Sequence, residues 1–118
     1  MDTLLAIQTR RSVRKYTEQH IDEEKLDTIL RAGMASPTAG NSQSWRFVVV
    51  DDKKLLADNS SLSPYAAKAA SAALAIVVCA DLKAEKYPGF WVQDCAAGMQ
   101  NMLLAAHALG LGAVWRGI

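Results

Sequence analysis

Apolar residues recur at helical spacing in two long segments of this chain. In residues 23–35 they lie three, four and seven positions apart, which places them on one face of a helix, and Asp22 is suited to cap its first turn. In residues 89–109 they recur at steps of three and four, while further apolar residues lie off that stripe. We therefore predict a long central helix that ends before Gly110, and a short apolar stretch predicts another helix over residues 3–9.

Two uniformly apolar runs rich in β-branched residues predict strands at residues 46–52 and 74–80. Their uniform apolarity indicates burial on both faces. Helical signals occur between them at residues 53–57 and 64–73, and residues 113–118 are suited to begin a further strand. Together these elements predict an α+β fold in which helices, one of them long and central, flank a mixed β-sheet.

Length and composition indicate one folded domain. Of the 118 residues, 51% are hydrophobic and 21% are charged, so residues 1–118 can form a single core. Thirteen Lys and Arg residues nearly balance twelve Asp and Glu residues, and the net charge of +1 provides no overall field for a nucleic acid or an anionic membrane. We therefore expect neither as a partner.

The cysteines and the first residues bear on the type of site and on location. Cys79 and Cys95 lack the spacing of a zinc site or a disulfide framework, so we expect two buried free thiols and no bound metal. At the start of the chain, arginines follow a short apolar stretch, which is the reverse of a secretory signal and makes a cytoplasmic location the default expectation. Polar residues interrupt the otherwise uncharged run at 95–115, which favours a helix buried in protein over a membrane span.

Four positive charges lie close together in residues 10–15 (RRSVRK), where residues 12–17 are expected to be extended or irregular. In an extended segment alternate side chains share a face, so Arg10, Ser12 and Arg14 would form a row about 13 Å long. Guanidinium groups grip phosphate with two hydrogen bonds and serine adds a neutral donor, which suits a ligand with a phosphate at one end and a polar ring at the other. A solvated basic turn and a contact with nucleic acid are the alternatives.

The second polar segment is the loop at residues 36–45 (SPTAGNSQSW), between the second predicted helix and the first strand. The amides of Asn41 and Gln43 carry both donors and acceptors, as the edge of a heterocycle with alternating carbonyl and N–H groups requires. Thr38 and the small residues Ala39 and Gly40 would let the backbone approach a flat ring closely. A polar turn without a ligand is the alternative.

Together the two segments resemble the nitroreductase family of FMN-dependent oxidoreductases. The family's arginine–serine motif is similar to residues 10–14 (RRSVR), and its Pro-Ser-x-x-Asn-x-Gln-Pro-Trp loop is similar to residues 37–45, with Thr38 in place of Ser and Ser44 in place of Pro. Residues 94–115 resemble the long central helix of the family and the segment after it.

The resemblance implies that FMN binds in a homodimer interface between these two motifs. It assigns cofactor contacts from one subunit to Arg10, Arg11, Ser12 and Arg14, and from the other to Pro37, Thr38, Ala39, Asn41 and Gln43. Lys68 resembles a family lysine near the flavin ring, and a solvated charge on an Ala-rich helix is its alternative. Arg14 and Lys68 are the cations expected to stabilise the negative charge of reduced flavin.

The activity implied is transfer of a hydride from NAD(P)H to FMN and then of electrons to a small acceptor such as a nitroaromatic or a quinone. The cofactor supplies this chemistry, so no catalytic side chain is expected. A flavin-binding or dimerisation module without turnover is the alternative from a different functional class. Family members usually continue with another strand and a basic C-terminal segment, whereas this sequence ends at Ile118, so a C-terminally short form is expected.

Overall fold

The computed structural model of the protein describes residues 1–60 and 69–117. Its helices and strands follow the order expected from the sequence. They are α1 (Thr3–Thr9), α2 (Glu23–Met34), β1 (Trp45–Val50), α3 (Lys53–Ser60), β2 (Ala75–Ala80) and α4 (Trp91–Ala108). Short 3-10 turns occur at Ala39–Asn41, Ala69–Ser71 and Leu82–Ala84. Of the helix predicted at residues 64–73, residues 64–68 lie outside the described part, and the 3-10 turn stands at its end.

Aspartate side chains cap the first turns of α1, α2 and α3. Asp22 accepts a hydrogen bond of 3.0 Å from the amide of Lys25, which confirms the cap predicted for α2. Asp2 caps α1 in the same way, and Asp52 accepts from two amides at the start of α3, so β1 ends before this residue. These short-range contacts explain why the helix boundaries can be predicted from sequence.

The end of α4 also follows the prediction. Gly110 has a φ of 81°, a left-handed conformation that glycine adopts without strain. The amide of Gly110 donates to the carbonyl of His107, and the amide of Leu111 donates to the carbonyl of Ala106. This pair of bonds is a Schellman motif, which satisfies carbonyls that the last helical turn leaves open.

The sheet contains an antiparallel pair, β1 and β2, with Trp45 opposite Ala80 and Val50 opposite Ala75. A single parallel bridge joins Ser12 to Ala113, where the amide of Val13 donates to the carbonyl of Ala113. This bridge is the only strand-type pairing described for residues 113–117, which were expected to begin a strand. The α+β architecture is confirmed, with both pairing directions present.

The prediction that both strands are buried on both faces is wrong for the described chain. Every residue of β2 is only partly buried, and Val48 in the middle of β1 is 50% exposed. The reason is that α4 packs against one side of a pair of strands, and the described residues do not cover the other side equally.

The core lies where α2 packs on α4. Ile29, Met102 and Ala106 are buried at its centre, and Phe47 of β1 packs against them. A Cβ atom at Gly33 would lie 3.0 Å from Met102 Cγ and 3.1 Å from Phe47 Cζ, so the glycine permits the close approach of the two helices. The position of α4 confirms the prediction of a long central helix.

Cys79 and Cys95 are free, as expected, but each is only half-buried. The Cys95 thiol donates to the carbonyl of Cys79 over 3.6 Å. Burial raises the pKa of Cys95, and the negative charge of Asp94 raises it further. No helix in residues 1–60 and 69–117 is long and apolar enough to cross a membrane, and those residues contain no cluster suited to hold a metal ion.

Candidate functional site

The loop between α2 and β1 has an unusual backbone. Gly40, Asn41 and Gln43 have φ values of 60°, 54° and 50°, which place three of four consecutive residues in the left-handed region. This conformation costs a residue with a side chain about 1–2 kcal/mol. Surrounding contacts must therefore hold the loop in place, and strain of this kind is concentrated at binding sites.

Part of that support comes from inside the loop. The hydroxyl of Thr38 accepts a hydrogen bond of 3.0 Å from the amide of Gln43. The hydroxyl of Ser42 donates to the carbonyl of Ala39 over 2.8 Å, and the amide of Asn41 donates to the carbonyl of Thr38. The Thr38 side chain, expected to contact the cofactor, thus closes the loop on itself.

Further support comes from residues distant in sequence. Asp94, in the first turn of α4, accepts a hydrogen bond of 3.0 Å from the amide of Ala39 through Oδ1. The Lys86 ammonium donates to the carbonyl of Gly40 over 2.9 Å. The ring of Tyr87 lies so close to Gly40 that a Cβ there would be 2.5 Å from Cε2. The loop is therefore seated against α4 and the segment before it.

Asp94 was not among the residues expected from sequence. It is the only Asp, Glu, Lys or Arg residue in α4 and is 5% exposed, whereas most acidic residues lie on protein surfaces. The signal that could have found it is this isolated charge in an apolar helix. Its position relative to the loop, 55 residues away in the chain, could not be read from the sequence.

The loop presents two amide side chains to the surface. Asn41 and Gln43 are exposed, and neither side chain has a hydrogen-bond partner within the described residues. Pro37 is exposed and Ala39 is half-buried beside them. The loop backbone is thus fixed while the two side-chain amides remain available to a ligand. Because the backbone is already ordered, a ligand can bind with little loss of conformational entropy.

The arginine segment follows α1. Arg10 is the C-cap residue of α1, and its amide donates to the carbonyl of Ala6. The Arg11 guanidinium bends back to the carbonyls of Gln8 and Arg10, while Ser12 pairs with Ala113. Arg11, Ser12 and Arg14 are exposed, and Arg10 is half-buried. These guanidinium groups therefore face solvent, where an anion can reach them.

Arg116 joins this basic region from the other end of the chain. Burial raises the pKa of the Tyr16 hydroxyl, and the nearby positive charges of Arg116 and Arg14 lower it by a smaller amount. Tyr16 therefore lies near both guanidinium groups. Sequence alone does not associate Arg116 with Arg14, because the parallel bridge between Ser12 and Ala113 is what brings their segments together.

A large cleft of about 800 Å³ lies beside α4 and β2. Its walls include Tyr16, Ile76, Met99 and Trp115. Of the predicted cofactor contacts, the nine in the described part do not line this cleft. Lys68, the tenth, lies outside the described residues, so its place near the ring stays a prediction.

The two predicted motifs lie at opposite ends of α4. Asp94 in its first turn contacts the loop, whereas His107 in its last turn shares a 2.8 Å hydrogen bond with Thr9, next to the arginine segment. Thirteen residues separate these two points, which corresponds to about 20 Å along the helix axis. Within one chain the loop and the arginine segment are therefore anchored about 20 Å apart.

Comparison with known proteins identifies the class of protein that has this α+β fold, with its loop between α2 and β1 and its arginine segment. The model of the family described as "Nitroreductase family" matches residues 7–88 and 58–118. The chain belongs to the nitroreductase family.

Its relatives are similar over nearly the whole chain. It is 51% identical to a protein of Methanothermobacter thermautotrophicus named "Putative NADH dehydrogenase/NAD(P)H nitroreductase" and 47% identical to one of Archaeoglobus fulgidus with the same name, covering 100% and 99% of this chain. These matches span 62% and 68% of the relatives' lengths, so the chain corresponds to about two thirds of each.

A solved structure gives the same result. A Desulfovibrio desulfuricans protein, described as a "putative nitroreductase in complex with fmn", superposes with a TM-score of 0.88 at 40% identity. The match covers 99% of this chain and 69% of the other. The fold and family expected from the two motifs are thereby confirmed, while the roles of individual residues stay predictions.

Proposed function

We propose that the protein is an FMN-dependent oxidoreductase that transfers electrons from NAD(P)H to a small acceptor such as a nitroaromatic or a quinone. The observation that carries this proposal is the left-handed loop that exposes the amides of Asn41 and Gln43, in a chain of the nitroreductase family. The family relative crystallised with FMN and the relatives named for NAD(P)H support the cofactor and the reductant.

The residues present fit FMN chemically. The exposed amides of Asn41 and Gln43 can each donate to and accept from the alternating carbonyl and N–H groups at the edge of the ring. The exposed guanidinium group of Arg11 suits a phosphate, which arginine binds with two parallel hydrogen bonds. Pro37 and Ala39 complete the small-residue surface on which a flat ring can lie.

We also propose that the site is completed by a second copy of the chain. The arginine segment and the loop are anchored about 20 Å apart along α4, and we infer that the cofactor lies between the segment of one subunit and the loop of its partner. Leu4 and Ile7 on α1 are 67% and 52% exposed, and they offer apolar surface beside the arginine segment for such an interface.

When bound, FMN supplies the hydride-accepting and electron-donating chemistry. In this proposal the chain's own residues bind and orient the cofactor. The positive charge of Arg14 stabilises negative charge at the ring edge, and the amides of Asn41 and Gln43 hold that edge in a fixed position. No side chain is required as a nucleophile.

The test is a visible absorbance spectrum and a solution mass of the purified full chain. We expect flavin absorbance, or its appearance on addition of FMN, in a particle of twice the mass of the chain. Protein that takes up no FMN would refute the proposal.

Two variants sharpen this test. Arg14→Ala should weaken FMN binding by about tenfold or more, since a charge-assisted pair is lost. Arg31→Ala is the matched control, because Arg31 is an exposed arginine of α2 that forms a surface ion pair with Asp27, and its loss should leave FMN affinity unchanged.

Mixing the FMN-loaded protein with NADH or NADPH in a stopped-flow instrument separates the enzyme from the non-catalytic module. The enzyme's flavin absorbance bleaches on mixing and returns when an acceptor is added. A binding module would stay oxidised.

A further inference from the structure

The buried carboxylate of Asp94 is not used by the function proposed above. Oδ1 accepts the amide hydrogen of Ala39, and Oδ2 is buried without a hydrogen-bond partner in the described structure. Burying a carboxylate is costly unless other groups compensate. The first turn of α4 offsets part of this cost because its open amides favour negative charge. We therefore looked to its contacts for a function of the buried Asp94 carboxylate.

Asp94 helps to hold the backbone of the loop at residues 38–43 through its bond to Ala39. Three side chains from outside the loop form hydrogen bonds to its backbone in the described part of the chain, and they belong to Asp94, Lys86 and Arg46. Lys86 and Arg46 are exposed, so water competes for their bonds. The bond from Ala39 to Asp94 is the sheltered one, and a hydrogen bond to a buried charge is among the stronger ones.

We propose that Asp94 is a positioning residue that fixes the loop at residues 38–43 in the conformation in which Gly40, Asn41 and Gln43 are left-handed and the two amide side chains meet the FMN ring. This inference rests on the proposed binding of FMN. Asp94 acts through the amide of Ala39, which immediately precedes the left-handed residues Gly40 and Asn41. Without this anchor the strained loop can relax, and the cofactor must then reorder it when it binds.

The first experiment compares Asp94→Ala with Asp94→Asn in the full-length chain by titration with FMN. Asp94→Ala should raise the Kd for FMN by about tenfold or more, and its bound flavin should absorb more like free FMN. Asp94→Asn should stay within about threefold of the unmodified protein, because an amide oxygen still accepts the bond from Ala39. The midpoint potential of bound FMN should likewise shift more in Asp94→Ala than in Asp94→Asn.

Asp52→Ala is the matched control. It also removes an aspartate that accepts backbone hydrogen bonds at a helix start, but at α3 and away from the loop. It should lower the melting temperature without changing the Kd for FMN. A purely structural role for Asp94 predicts that both alanine variants change stability alone, and that result would overturn the inference.

The same bond can be removed from its other side with Ala39→Pro, which keeps Asp94 but deletes the donor. Thr38 has a ψ of 152°, the extended conformation that a residue before proline prefers. Ala39→Pro should weaken FMN binding as much as Asp94→Ala does, and the double variant should be no weaker than either. This variant also decides the question if Asp94→Ala fails to fold.

The possible failures are distinguishable. If the unmodified protein does not bind FMN, the proposed function is wrong and this inference falls with it. If it binds FMN and both Asp94→Ala and Ala39→Pro bind equally well, only the positioning role is wrong. Failure of Asp94→Asn to restore binding in a folded protein would also overturn that role.

Discussion

Replacement of Gly40 by alanine tests whether its contact with Tyr87 shapes the loop. Gly40 has a φ of 60°, and an added Cβ would meet the Tyr87 ring at 2.5 Å. Two costs are expected: about 1–2 kcal/mol for placing a Cβ in the left-handed region, and about 0.5–1.5 kcal/mol for displacing the ring from its edge-on contact with Phe90. The Tyr87 and Phe90 ring centroids are 6.5 Å apart.

Gly110→Ala separates these two costs. Gly110 also has a positive φ, of 81°, but no atom of residues 1–60 and 69–117 lies within 4 Å of a Cβ added there. Gly110→Ala should therefore lower the free energy of unfolding only by the backbone cost of about 1–2 kcal/mol. Gly40→Ala should lower it by this amount and, in addition, by the cost of moving the Tyr87 ring.

The measurement is urea unfolding followed by circular dichroism, with the slope of the transition checked for constancy. In a Tyr87→Ala background the extra cost of Gly40→Ala should disappear, leaving a loss equal to that of Gly110→Ala. The reasoning is refuted if Gly40→Ala and Gly110→Ala are equally destabilising in the unmodified background, or if their difference persists without the Tyr87 ring.

Two further predictions concern the arginine segment and Cys95. Gly112→Ala should lower both stability and FMN affinity, because its Cβ would lie 2.7 Å from Val13 Cγ1 and push the arginine segment away from Ala113. Added Val13→Ala removes Cγ1 but leaves the Cβ at 3.0 Å, so it should restore part of both losses in urea unfolding and FMN titration, and no restoration would contradict this packing. Because burial and then Asp94 raise the pKa of Cys95, its alkylation by iodoacetamide at pH 8 should be slower in the folded than in the unfolded chain. The stability linked to this thiol is fully present below the unfolded pKa of about 8.5 and is lost as the pH rises through the higher folded value. Cys95→Ser should flatten this loss, and an unchanged pH profile would contradict the assignment.

Local signals account for the accuracy of the predicted helices. The Asp22 cap, the apolar spacing that follows it and the glycine after α4 each act within a few residues, and the structure has the corresponding helix ends. The two strands were placed by their β-branched composition. Their partial exposure was missed because composition records which residues favour a strand, whereas what covers each face depends on the neighbouring layers.

Some features of the candidate site could likewise be predicted from sequence, and others could not. The amide-bearing loop and the arginine segment could be recognised from sequence, since their residue types suit a heterocycle and a phosphate wherever they lie. The left-handed backbone of the loop and the roles of Asp94, Lys86 and Tyr87 could not, because these contacts join residues more than 40 positions apart.

The sequence by itself determined which segments become helices and strands, which residues are chemically suited to a flavin, and the family to which the chain belongs. Only the tertiary structure decided that the loop is anchored on α4, that Arg116 lies near Arg14, and that the two motifs occupy opposite ends of one helix. The physical reason is that caps, turns and apolar periodicity act over one or two turns of chain, whereas a buried carboxylate finds its partner only when distant segments pack together.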